Sequence, residues 1–170
     1  MLFELKQDSF KFVRLVISCS WEIKTAPQTG WTEVNQTLTK ASTKTGIVAI
    51  VDDDEPLREA LGSVMKAAGF SPRTFASAEE FLACDDCDET ACLILDVRLP
   101  GMSGIELQKQ LAGANRRLPI IFVTAHGDAS LRDSLMRAGA SAFLYKPVRS
   151  DALLKEIHTA LEKTNADEQP

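Results

Sequence analysis

Nowhere in the sequence does an apolar run approach the roughly 20 residues of a membrane span. The best N-terminal stretch, Phe10 to Trp21, is broken by Lys11 and Arg14. No clear small-residue cleavage site goes with it, so no signal peptide is read. These absences make a cytoplasmic protein without membrane contact the default expectation. An excess of positive charge is missing too. The chain has 19 Lys and Arg against 24 Asp and Glu, a formal net charge of -5. Broad contact with nucleic acid phosphates is therefore disfavoured, and no direct nucleic acid partner is expected. The cysteines lack the partners that a structural zinc site needs. Cys84-Asp-Asp-Cys87 and Cys92 have no histidine near them in sequence, and Cys19 is far away. They are expected to be ordinary thiols.

What is present is an ordinary globular composition, 45% hydrophobic and 25% charged. The length suits one domain with some extra chain. The text changes character near residue 45. Residues 1–45 are irregular, and Thr25 to Thr45 is rich in Thr, Ser, Asn and Gln, which reads as linker. This extension reads as a docking tail or as a consequence of where translation is taken to start. No methionine lies between Met1 and Met65, so the second idea needs a non-methionine start, such as at Val34 or Leu38. The folded domain is expected over residues 46–163, with a polar tail over 164–170.

Ile47 to Val51 is a continuous apolar run, as in a strand buried on both faces. A helix follows, with Asp54 as its cap, Pro56 in its first turn and Gly69 at its end. Leu57, Leu61, Val64 and Ala68 are expected to share its buried face. Thr74 to Ala76 reads as part of a second strand, and Ser77-Ala-Glu-Glu80 as a capping box opening a short helix through Leu82. Cys92 to Leu95 is a third strand, followed by a helix from about Gly104 to Leu111. Pro119 to Thr124 is a fourth strand, with a helix over about Asp128 to Ala138. Ala142 to Tyr145 is a fifth. A last helix from near Ser150 buries Leu153, Leu154, Ile157 and Leu161. Strands alternating with helices imply an α/β fold, a doubly wound parallel sheet covered on both faces. Its ligand site is expected beyond the carboxyl ends of the strands.

Those ends carry Asp52 and Asp53, Asp96, Thr124 and Lys146. Gathered carboxylates repel and raise one another's pKa, so something positive must hold them ionised. Hard oxygen donors suit Mg²⁺, which shares its coordination with waters and a substrate phosphate. A carboxylate is a competent nucleophile. Phosphoryl transfer demands in-line positioning and neutralised oxygens, which a metal, a lysine and a hydroxyl supply. Each residue alone has a bland reading, as a helix cap, a strand end or a surface lysine. The set at four strand ends does not.

The stretches Ile50-Val-Asp-Asp-Asp-Glu-Pro56, Leu95-Asp-Val-Arg-Leu-Pro-Gly-Met-Ser-Gly104, Val123-Thr-Ala125 and Tyr145-Lys-Pro147 resemble the receiver domains of two-component response regulators. The resemblance runs from about Ile47 to Leu161. It implies a five-stranded flavodoxin-like sheet of order 2-1-3-4-5. It implies a phosphorelay module that accepts a phosphoryl group on Asp96 and is no enzyme beyond its own phosphorylation and dephosphorylation. It makes Asp53 a direct Mg²⁺ ligand, Asp52 a ligand acting mainly through water, Asp96 a ligand as well, and the main-chain carbonyl of Arg98 the third protein ligand. Lys146 is implied to pair with the phosphoryl group, with the bond to Pro147 cis. Thr124 and Phe143 take the switch positions, Phe143 without a phenolic hydroxyl. In similar proteins the positions of Arg98 and His126 influence how long the phosphate survives. The partners implied are a histidine kinase and either a histidine phosphotransfer protein or a downstream effector. The wording looks most like receivers that precede a helix-turn-helix output domain, and this protein is expected to act without one of its own. Two other readings compete. A haloacid dehalogenase-type hydrolase wants a second Asp where Arg98 stands, and a pseudo-receiver usually lacks one of the acidic, acceptor or lysine positions.

Overall fold

The computed structural model describes residues 46–167. The expectations for residues 1–45 and 168–170 lie outside them.

Strand β1 (Ile47–Val51) is followed by α1 (Glu55–Ala67), β2 (Ser71–Phe75), α2 (Ala78–Leu82), β3 (Thr90–Leu95), α3 (Gly104–Gly113), β4 (Ile120–Thr124), α4 (Ala129–Arg137), β5 (Ala142–Tyr145) and α5 (Ser150–Asp167). A short 3-10 turn, Cys87–Glu89, precedes β3. All strand pairs are parallel, in the order β2-β1-β3-β4-β5.

Period-two alternation sorts the strand residues into two apolar layers. Ala49, Val51, Leu93, Leu95, Ile120, Phe122 and Phe143 face one side, where Ala78 and Phe81 of α2, Leu107 and Leu111 of α3 and Leu135 of α4 cover them. Val48, Ile50, Cys92, Ile94, Ile121, Val123 and Ala142 face the other, against Leu61 and Met65 of α1 and Leu153 and Ile157 of α5. The three central strands are buried on both faces, which is why they read as unbroken apolar runs.

Caps set the helix starts. Asp54 accepts the Leu57 N–H at 3.2 Å, and Asp128 accepts the Leu131 N–H at 2.8 Å. Ser103 and Glu106 form a full capping box on α3. At α2 only half of the expected box forms. Ser77 accepts the Glu80 N–H, but the Glu80 carboxylate reaches past it to the Ala76 N–H at 2.6 Å.

Three expectations are corrected. Ala68 is exposed as the C-cap of α1, and Met65 completes the buried stripe instead. Strand β2 begins at Ser71 and takes in Pro72, which an edge strand tolerates. Helix α5 runs on to Asp167, past the point where a polar tail was expected, since neither Pro nor Gly interrupts residues 150–167.

Candidate functional site

The carboxyl ends of β1 and β3 lie side by side in register, Val51 against Leu95. The next residues, Asp52 and Asp96, therefore leave the sheet together. The Asp96 N–H donates to the Val51 carbonyl at 2.9 Å, carrying the strand pairing one step beyond β3. Among the described residues one acidic group has the spacing to hold a metal ion: Asp52, Asp53 and Asp96, with ligand atoms within 4.8 Å of one another. Asp52 and Asp96 are buried and Asp53 is exposed.

Lys146 enters from the end of β5. Its ammonium lies 2.5 Å from Asp96 Oδ2 and 2.7 Å from Asp52 Oδ2, bridging the two buried carboxylates. The Lys146–Pro147 peptide is cis, and the Lys146 N–H donates to the Thr124 carbonyl at 2.9 Å. Burial raises the Asp52 carboxyl above the ordinary aspartate value, and the nearby Asp96 charge adds to this, against the opposing pull of Lys146 and of the Asp54 N–H. For Lys146 burial acts to lower the pKa, but the hydrogen bonds to Asp52 and Asp96 and their charges outweigh it, so the ammonium is held above the ordinary lysine value. The two shifts have one origin. Carboxylates taken out of water keep their charge only while a cation stays against them.

The rest of the site is backbone geometry. The Arg98 N–H donates to Asp96 Oδ1 at 3.0 Å, so both carboxylate oxygens of Asp96 are engaged. Gly104 packs so closely on the Asp96 main chain that a Cβ there would collide with the carbonyl oxygen. The Thr124 hydroxyl is turned into its own loop, donating to the His126 carbonyl at 3.2 Å and accepting the His126 N–H at 3.3 Å. Phe143 is buried with its ring tip under Gly127, where an added Cβ would come within 3.0 Å of it. The exposed Tyr145 packs edge-on against it, ring centroids 5.2 Å apart. Arg98 and His126 are exposed.

Two positioning contacts escaped the sequence reading. Arg58 of α1 donates to the Asp52 carbonyl at 2.7 Å. Glu79 of α2 accepts the Met102 N–H at 2.7 Å and so holds the loop that follows Asp96. The first spans six residues and the second 23, distances at which sequence spacing carries no signal. The cysteine expectation is also corrected. Cys84 and Cys87 are joined in a disulfide, whereas Cys92 is a free buried thiol. A cavity of about 490 Å³, lined in part by Gln108, Arg116, Ser141 and Lys163, lies at the amino ends of β4 and β5, away from the acidic group.

The response regulator receiver domain model matches residues 48–158. The chain belongs to that family. Receiver domains are signalling proteins rather than classical enzymes, and they bind Mg²⁺ at an acidic site of the kind that Asp52, Asp53 and Asp96 form. Nodulation protein W of Bradyrhizobium diazoefficiens is 44% identical over 125 residues, covering 74% of this chain and 55% of that protein. Transcriptional regulatory protein TdiR of Thauera aromatica is 38% identical over 133 residues, covering 75% of this chain and 59% of that protein. The solved structure of response regulator StyR matches with a TM-score of 0.64 at 45% identity, covering 72% of this chain and 64% of that one. This chain thus spans little more than half the length of the two curated relatives. One of them is named as a transcriptional regulator, which gives no support to the expectation of a protein without nucleic acid contact. No described helix is long and apolar enough to cross a membrane.

Proposed function

We propose that this receiver accepts a phosphoryl group on Asp96 from a histidine kinase in the cytoplasm and thereby switches its binding to a partner. The observation that carries the reading is the Lys146 ammonium held between Asp52 and Asp96 at 2.7 and 2.5 Å. A carboxylate oxygen of Asp96 attacks the phosphorus of a phosphohistidine. The new O–P bond forms as the N–P bond breaks, and the freed imidazole takes up a proton from solvent. Lys146 already touches the nucleophile, so it is placed to follow the phosphoryl oxygens as charge builds on them. The Arg98 N–H on Oδ1 fixes the carboxylate plane.

The donor set fits Mg²⁺: hard oxygens, two of them buried, in a group that needs positive charge. Asp52, Asp53, Asp96 and the Arg98 main-chain carbonyl would hold it. When bound, the ion neutralises phosphoryl oxygens. The switch is a competition for the Thr124 hydroxyl. It is satisfied by the His126 backbone and leaves that turn for the phosphoryl group, and Phe143 repacks with the loop under which it lies. A histidine phosphotransfer protein or a downstream effector reads the altered face. The test is transfer from a histidine kinase labelled with radioactive phosphate. Label is expected at Asp96 in the wild type and to appear far more slowly in Lys146→Met. Unreduced transfer to Lys146→Met would overturn the assignment.

A further inference from the structure

The bridge between Cys84 and Cys87 lies beyond the carboxyl end of α2, away from Asp96, and the phosphoryl chemistry makes no use of it. We propose that this pair is a reversible thiol–disulfide exchange site whose substrates are small dithiols and disulfides.

The two sulfurs differ in access. Cys84 is half-buried, whereas Cys87 is 1% exposed and belongs to the apolar layer under α2 and α3. An incoming thiolate therefore reaches Cys84, and Cys87 is the leaving group. The main chain of Cys87 is itself anchored. The Arg116 guanidinium donates to the Cys87 carbonyl at 2.6 Å, pairs with Asp88 at 3.1 Å and lies 5.8 Å from the centroid of the Phe81 ring. The third described cysteine does not compete. Cys92 lies in the opposite apolar layer with no exposed surface, and burial pushes its thiol up to about 12.

The bridge is also dispensable for the fold. It closes a ring with a sequence separation of only 3, and the constraint a disulfide places on the unfolded chain is smallest for short rings. Fully buried Ala78 and Phe81 hold α2 without it. A bridge that is accessible on one sulfur and structurally redundant suits exchange better than it suits a permanent staple, above all in the reducing compartment proposed for this protein.

The chemistry balances as two exchanges. One thiolate of a dithiol attacks Sγ of Cys84. A new S–S bond forms, the Cys84–Cys87 bond breaks, and the electron pair leaves on Cys87, which takes a proton from solvent. The second thiolate of the reagent then attacks the mixed disulfide. It releases Cys84 as a thiol and leaves the reagent oxidised. A small-molecule disulfide runs the sequence backwards. Exposed Asp85 and Asp86 stand between the two cysteines in sequence, so a neutral dithiol is expected to react faster than the anionic thiol of glutathione.

The test uses the full chain with Cys19→Ser, since Cys19 lies outside the described residues. The folded protein is equilibrated in mixtures of reduced and oxidised dithiothreitol, alkylated with iodoacetamide and mapped by peptide mass. Expected are a Cys84–Cys87 bridge at the oxidising end and alkylation of both at the reducing end. Far-UV circular dichroism stays unchanged throughout, and Cys92 stays unmodified. In Cys87→Ala, oxidised glutathione is expected to leave a mixed disulfide on Cys84. A bridge that survives native reduction, or opens only with loss of the circular dichroism signal, would make it a structural staple and overturn the proposal. Alkylation of Cys84 and Cys87 in fully oxidising buffer would overturn it as well.

Discussion

Lys146 is the residue on which the electrostatics of the site turn. Its contacts neutralise two carboxylates that burial would otherwise drive toward protonation. Lys146→Met is expected to slow phosphorylation from a small acyl phosphate by about a hundredfold, the scale of one lost electrostatic contact to a transition state. Mg²⁺ binding should survive, because no oxygen donor is removed. Metal affinity measured by calorimetry and rate measured by mass spectrometry separate the two effects. Equal loss of both would mean that the lysine only props the site open. Gly104 tests the backbone. In Gly104→Ala the Cβ presses on the Asp96 carbonyl, which is expected to lower stability by about 1–3 kcal/mol in denaturant titration. An unchanged midpoint would show that the loop yields freely. The acidic residues, Thr124 and Lys146 were legible because apolar strands end at them and point them out. Arg58 and Glu79 were not, since their partners come from other segments.

Helix α2 has five residues, is held at its start by Glu79 and is packed into the core by Ala78 and Phe81. The Glu79 carboxyl sits below the ordinary glutamate value because it accepts the Met102 N–H. Its folded pKa is depressed, so the stability it contributes is present above the ordinary value of 4.5 and is lost as pH falls below it. Glu79→Gln keeps an acceptor and loses the charge, so it is expected to lose the charge-dependent part of the stability at neutral pH and thereby flatten the acid limb of the stability profile. Glu79→Ala is expected to loosen the loop at neutral pH, seen as faster amide exchange at Met102. Equal acid limbs in the wild type and Glu79→Gln would remove this helix from the account. At this scale the elements with unbroken apolar runs were legible, even the four-residue edge strand β5, and β2 was not. β5 falls where its apolar run lies, from Ala142 to Tyr145. β2 is an edge strand with Pro72 inside it and only Phe75 buried, so its pattern is faint. The pairing of Cys84 with Cys87 was hidden because spacing alone does not say whether two sulfurs meet.

The whole molecule places its chemistry where a parallel sheet leaves room for it. β1 and β3 are neighbours although α1, β2 and α2 separate them in sequence, and this crossover brings Asp52 and Asp96 together. The order of the strands therefore determines the site as much as the residues do. Both apolar layers of the described fold close within residues 48–161. Residues 46–167 expressed alone are accordingly expected to unfold cooperatively in urea and to bind Mg²⁺ as the full chain does. A broad, non-cooperative transition would show that residues 1–45 belong to the fold.

The most direct test of the phosphoacceptor is Mg²⁺-dependent reaction with acetyl phosphate, followed by intact mass on the wild type and Asp96→Asn. One added phosphoryl group on the wild type, lost on chelation and absent from Asp96→Asn, is the expected result. An equal phosphoryl adduct on Asp96→Asn would contradict it.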